Sequence, residues 1–219
     1  EALPEKQIPI VQKLFDLSFE EQDQILRVLG ENGQEATGSM GDDTPMAVLS
    51  RETRSLYDYF RQQFAQVTNP PIDPLREKLV MSLSTGLGRE KPLFQDAEEH
   101  AGRIMLESPV LSRSQFNAII ALNNPDYASA TIDLNYTPTA AAPGESLRRA
   151  IERICAQAEN AALSGSVVIV LSDRNVDAGR LPIHAALATG AVHHRLTEKG
   201  LRSDTNIIVE TATARDPHH

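Results

Sequence analysis

Val167 to Leu171 reads VVIVL, an unbroken apolar run in which four of the five residues are β-branched. So short and uniform a run predicts a strand covered on both faces, the normal condition of strands in a parallel sheet. Its surroundings repeat the theme. Ala130 to Leu134 fits a short strand upstream. Glu145 to Leu163 sets Leu147, Ile151, Ile154, Cys155, Ala158 and Ala162 along one side of a helix, which Gly165 ends. Downstream, Leu181-Pro182 starts a predicted helix reaching Leu196, and Asn206 to Val209 (NIIV) is the next strand. Strand, helix, strand, helix, strand at this spacing favours parallel pairing through right-handed crossovers. The expected class is therefore α/β, and the pattern fits an open parallel sheet and a piece of a β/α barrel alike.

The first half of the chain is read as mostly helical. Residues 1 to 16 form a lead-in segment, and 17 to 219 one domain, helical over 17–128 with β/α units over 129–219. Ser18 and Glu21 make an S-x-x-E capping pattern for a helix that Leu29-Gly30 is expected to end. A Gly-rich connection covers 31–44, and Thr44-Pro45 is a cap and start for a short helix. Leu56, Tyr59, Phe60, Phe64 and Val67 recur at helical spacing, predicting a helix over 54–67. Asn69-Pro70-Pro71 must stop it, since proline has no N–H to give and restricts the residue before it. Asp73-Pro74 then supplies an N-cap and an N1 proline for a helix reaching Ser84, with Gly86 and Gly88 beyond it.

Composition narrows the function classes. The 219 residues carry a formal net charge of −9, with no dense Lys/Arg run, which argues against nucleic acid as a general partner. Trp is absent and aromatics make up 5%, so aliphatic side chains must fill the core. Cys155 is the only cysteine. An intrachain disulfide is impossible, and the usage fits a reducing, cytoplasmic location. No apolar stretch is long enough to predict a membrane span.

Four places attract functional readings. The Gly38-Ser39-Met40-Gly41 stretch resembles an anion nest of backbone N–H groups, but it has no lysine and is followed by Asp42-Asp43, so it is neither a P-loop nor a dinucleotide fingerprint. Asp42 and Asp43 alone are a weak cation signal. Thr68, Asn69, Ile72 and Asp73 sit at the rigid proline joint, where polar groups can line a passage or meet a neighbouring domain; plain turn formation is the competing reading. Asp173, Arg174, Glu210 and Arg215 follow predicted strands, and functional groups of parallel α/β folds gather beyond strand carboxyl ends. The same residues equally suit salt links that organise loops. The pairs His193-His194 and His218-His219 lack a partner motif for zinc, because adjacent helical residues point about 100° apart. Cys155 lies on an apolar helical face and reads as core, with nothing local to activate it as a nucleophile. No catalytic residue and no metal ligand is assigned.

Longer blocks carry a resemblance. GSMGDDTPMAVLS (Gly38 to Ser50), YFRQQFAQVTNPPIDPLREKLVMSL (Tyr59 to Leu83), VVIVLSDRNV (Val167 to Val176) and GAVHHRLTEKGLRSDTNIIVETATARDPHH (Gly190 to His219), in this order, resemble the central domain of the glutamate synthase large chain. The family's usual wording at 41–43 is Gly-Asn-Asp, from which Asp42 departs. The resemblance implies a β/α barrel-like domain that binds no cofactor of its own, continuing past residue 219. It implies flanking partners in the same large chain: a glutaminase domain before it, and after it an FMN-binding barrel that also carries an iron–sulfur cluster, then a β-helix. A small reductase subunit is a further implied partner of the parent. Ammonia released by the glutaminase would travel through a tunnel to 2-oxoglutarate at the flavin site. The 38–43 loop and the joint residues Thr68, Asn69, Ile72 and Asp73 would then lie on that tunnel or on an interdomain surface. Glu1 stands where a catalytic N-terminal cysteine would be needed, and one cysteine cannot ligate an iron–sulfur cluster. Two other classes remain open on the residues alone: a free-standing α/β small-molecule enzyme with a site at its strand ends, and a homomeric interaction module.

Overall fold

The computed structural model describes residues 4–36, 41–52, 54–64, 72–92, 94–95, 98–216 and 218–219. It divides into two compact units, Glu1–Pro71 with Ala212–His219, and Ile72–Thr211.

The first unit is helical and irregular. A 3₁₀ turn at Glu5–Gln7 leads into α1 (Ile8–Leu14). The predicted capping box is present: Ser18 Oγ accepts from Glu21 N–H, and the Glu21 carboxylate accepts from Ser18 N–H, both at 3.1 Å. It opens a continuous helical run made of α2 (Phe19–Glu21), a π turn (Gln22–Leu26) and α3 (Arg27–Asn32). The run passes through Gly30 and stops at Gly33, which takes φ 61°, a left-handed conformation that glycine adopts without steric cost. Two predicted helices are not found among the described residues, and 65–67 of the second lie outside them. Thr44-Pro45 leads instead into a turn around Val48 and Leu49. Over the described residues 54–64 there is only a 3₁₀ turn, Leu56–Tyr59, capped by Ser55, after which the chain extends. Gln62 then pairs with Gly41 in an isolated parallel bridge, a use of the backbone that a helix would forbid.

Residues 212–219 fold into this same unit. The Arg215 guanidinium donates from Nε and Nη2 to Glu21 Oε1 at 2.9 and 2.6 Å, and from Nη1 to the carbonyls of Phe15 and Ala212. The His219 ring stacks on Tyr57, with centroids 4.1 Å apart and planes 13° from parallel. Tyr57 and Phe15 are the buried large side chains here, whereas Tyr59, Phe60 and Phe64 of the predicted helical stripe are exposed.

The second unit carries the α/β organisation. It begins with α4 (Pro74–Val80), whose N-cap Asp73 accepts from Leu75 and Arg76 N–H. The helix is shorter than predicted, and Gly86 lies within a strand, β1 (Thr85–Leu87), paired antiparallel with β2 (Ile104–Leu106). After α5 (Arg113–Ile120) come β3 (Ser129–Asp133), β4 (Asn135–Tyr136), α6 (Pro143–Leu163), β5 (Val168–Ser172), β6 (Leu181–Pro182), α7 (Ala185–Glu198) and β7 (Asn206–Glu210). Leu181-Pro182 is thus a two-residue strand paired antiparallel with β4, not a helix start. Proline suits a helix's first turn and a short edge strand equally, since neither needs its N–H. The helix begins three residues after Pro182, where His184 Nδ1 accepts from Ala186 N–H.

β3, β5 and β7 form one parallel sheet in that order, with β5 central. All five β5 residues are buried. Alternation divides them: Ile169 and Leu171 join Ile132 and Ile207 against α6 and α7, and Val168 and Val170 join Ile208 against Leu87, Ile119, Phe116 and Ile104. A sheet covered on both faces is what the VVIVL run requires. Burying each such side chain contributes about 1.5–3 kcal/mol, so this strand anchors the unit. Mixed α/β architecture with parallel and antiparallel pairs is established, and the described strands do not close into a barrel.

Candidate functional site

The carboxyl ends of β3, β5 and β7 gather a polar network. Asp133 ends β3. Its Oδ1 accepts from Asn135 N–H at 2.9 Å and from Asn135 Nδ2 at 2.7 Å, and its Oδ2 is ion-paired with Arg180. Burial pushes the Asp133 carboxyl up, but the Arg180 and Asn135 hydrogen bonds outweigh it and hold the group below its ordinary value. The Asp133 hydrogen bond likewise raises the Arg180 guanidinium. Arg180 also reaches the carbonyls of Asn135 and Asn175, tying the β5–β6 loop to the end of β3. Arg153 of α6 donates to the carbonyls of Asp133 and Asn135 from behind.

The neighbouring strand ends are joined in the same way. Ser172 Oγ donates to Glu210 Oε2 at 2.6 Å and accepts from Arg174 N–H, and Arg174 Nη1 donates to Glu210 Oε1 at 3.1 Å. Asp173 is 3% exposed and accepts from Thr211 Oγ1. Its carbonyl takes Asn135 Nδ2, and its N–H donates to Glu210 carbonyl. Chemically this is a lattice of carboxylates held by guanidinium, amide and hydroxyl donors. It fixes loop geometry, and the Ser172 hydroxyl gives its proton to the Glu210 carboxylate.

Of the predicted strand-end residues, Asp173, Arg174 and Glu210 come together. Arg215 belongs to the other compact unit, where Glu21 engages it. Asp133, Asn135 and Arg180 were not singled out from the sequence, which predicts a strand over Ala130 to Leu134 and so sets Asp133 inside it, whereas β3 ends at Asp133. Gly38, Ser39, Met40, Thr68 and Asn69 lie outside the described residues. Gly41 is bridged to Gln62. Asp42 accepts from Thr44 N–H at 2.9 Å and pairs with Arg61 at 2.7 Å, and Thr44 and Arg61 together pull its carboxyl from 3.8 down to about 2. Asp43 is exposed, Ile72 is half-buried, and Asp73 serves as the α4 cap.

Among the described residues no three His, Cys, Asp or Glu side chains gather as a metal site. Cys155 is buried in the α6–α7 core, and desolvation raises its thiol above the ordinary range. No described helix is long and apolar enough to cross a membrane.

Comparison with known proteins decides the family. The profile described as "Glutamate synthase central domain" matches residues 11–219. The chain belongs to that family. It is 42% identical over 207 residues to a glutamate synthase [NADH] of Schizosaccharomyces pombe, covering 94% of this chain and 10% of the relative. It is 42% identical over 208 residues to the glutamate synthase [NADPH] large chain of Bacillus subtilis, covering 95% and 13%. With a ferredoxin-dependent glutamate synthase of Pyropia yezoensis it shares 39% over 216 residues, covering 98% and 14%. The chain therefore spans between a tenth and a seventh of the length of these relatives.

Proposed function

We propose that this chain works inside a glutamate synthase as a noncatalytic central domain. It joins a glutaminase domain to an FMN-dependent synthase domain that also holds an iron–sulfur cluster, and it lines part of the passage that carries ammonia between them. The parent enzyme would release ammonia from glutamine and add it reductively to 2-oxoglutarate, giving glutamate, in the cytoplasm and in nitrogen assimilation. The observation that carries the reading is the long match to the family combined with strand ends whose carboxylates are bound to neighbouring donors. Relatives with NADH, NADPH and ferredoxin in their names match the same segment at similar identity. That supports placing electron-donor choice, and any small reductase subunit, outside this domain. Sequential strand order, with α6 and α7 packed on each other over one sheet face, favours a barrel-like progression over a doubly wound sheet, whose helices alternate between faces. The test is direct: the 219-residue chain, purified alone, hydrolyses no glutamine and carries no flavin absorbance. Sustained turnover of glutamine and 2-oxoglutarate by it would overturn the reading.

A further inference from the structure

Away from the strand-end network, a cleft of about 200 Å³ in the second unit is lined by Arg89, Glu90, Lys91, His100 and Arg103. We propose that this cleft binds a small dianionic oxyanion of the phosphate class. Among the described residues, three cationic side chains and one carboxylate line it, on a chain whose formal net charge is −9. Glu98, on the same turn as His100, is exposed and does not line the cleft.

The groups are held by backbone anchors and not left to drift. Asn206 Nδ2 donates to the Gly88 carbonyl at 2.9 Å, and Glu90 N–H donates to the Ser203 carbonyl at 3.0 Å, fixing the segment that presents Arg89 and Lys91. Gly88 itself takes φ 143°, which side-chain-bearing residues rarely adopt. The Arg103 guanidinium lies flat on Gly86, where an added Cβ would come within 3.0 Å of its Cζ and Nε. Nη2 donates to the Gly86 carbonyl at 2.7 Å, while the buried Nε–H has no acceptor among the described residues. Of the cationic side chains, a guanidinium is the one whose planar fork best matches an oxyanion. His100 Nε2 lies 2.6 Å from the Gln95 carbonyl, which can only accept, so that nitrogen carries the proton and orients the ring.

Among the described lining residues three cations stand against Glu90, a balance that suits a dianion. Phosphate, a phosphomonoester and a short dicarboxylate share this chemistry, and the guanidinium fork favours phosphate. The inference is independent of the coupling role proposed above. Its test titrates inorganic phosphate into the protein at constant ionic strength, read by calorimetry and by phosphorus NMR line width, with succinate as competitor. Saturable millimolar binding is expected, reduced about ten- to a hundredfold by Lys91→Glu and by Arg89→Glu, as befits loss of a charge-assisted contact. Both residues are exposed, so these variants keep the fold. Arg103→Lys, which retains charge but not the fork, is expected to weaken phosphate more than succinate. Absence of saturable phosphate binding, binding unchanged in both charge-reversed variants, or succinate binding tighter than phosphate would each overturn the assignment.

Discussion

Removing Arg215 should loosen the whole first unit, although the residue stands near the far end of the chain. Its side chain is 6% exposed and that of Glu21 20%. Two guanidinium nitrogens share Glu21 Oε1, and a third supports the carbonyls of Phe15 and Ala212. Breaking a buried pair by deleting one partner costs about 3–5 kcal/mol, because the other charge is left desolvated. Glu21 retains the Ser18 N–H at 3.1 Å and some water, so Arg215→Met belongs near the lower bound, about 3 kcal/mol. Glu21→Gln keeps the capping-box acceptor while removing the charge, and should cost about 1–2 kcal/mol. The double-mutant cycle should give a coupling of about 1–2 kcal/mol, above what exposed pairs reach. Denaturant unfolding supplies these energies. Hydrogen exchange of α1, α2 and α3 amides localises the effect, and their protection should fall with Arg215→Met while that of β5 does not. A coupling below about 0.5 kcal/mol, or unchanged exchange in those helices, would refute the argument that this tail is the clamp of the first unit.

Two further outcomes follow from titration. The folded-state Asp42 carboxyl is held down to about 2 from 3.8, so its contribution to stability is complete above the unfolded value and disappears as pH falls through about 2. A carbon NMR titration should place its midpoint there and move it upward in Thr44→Val and Arg61→Ala; a native midpoint at 3.8 would contradict the geometry. Cys155, raised by burial, should react with a thiol reagent at pH 8 only after denaturation, and prompt labelling of the native chain would show that the α6–α7 core is open.

What the sequence revealed, and what it hid, follows from the range of the interactions. The β5 strand was legible because five consecutive apolar residues between Gly165 and Asp173 have one economical use, and its parallel partners followed from the length of the intervening helices. Over 54–64 the predicted helix fails because its periodic stripe ignores Tyr57, which stacks on a ring from the other end of the chain. No local window contains that partner. At the candidate site the Arg174–Glu210 contact was legible from strand ends, where sheet register makes distant residues neighbours. Arg215 looked like a member of the same cluster because it follows β7 closely, but the compact unit changes at residue 212 and its carboxylate partner is 194 positions away.

The central claim, that this domain couples two active sites, is tested by the ratio of glutamine hydrolysed to glutamate formed in the full-length enzyme. Thr68→Trp, Asn69→Trp and Ile72→Trp place bulk at the proline joint. Neutral ammonia needs only a passage of small apolar and hydrogen-bonding groups, so obstruction should leave glutaminase chemistry intact. The account predicts that glutamine hydrolysis outruns glutamate formation in these variants and that supplied ammonia restores glutamate synthesis. A ratio that stays at the wild-type value in all three would contradict it and leave the joint a structural turn.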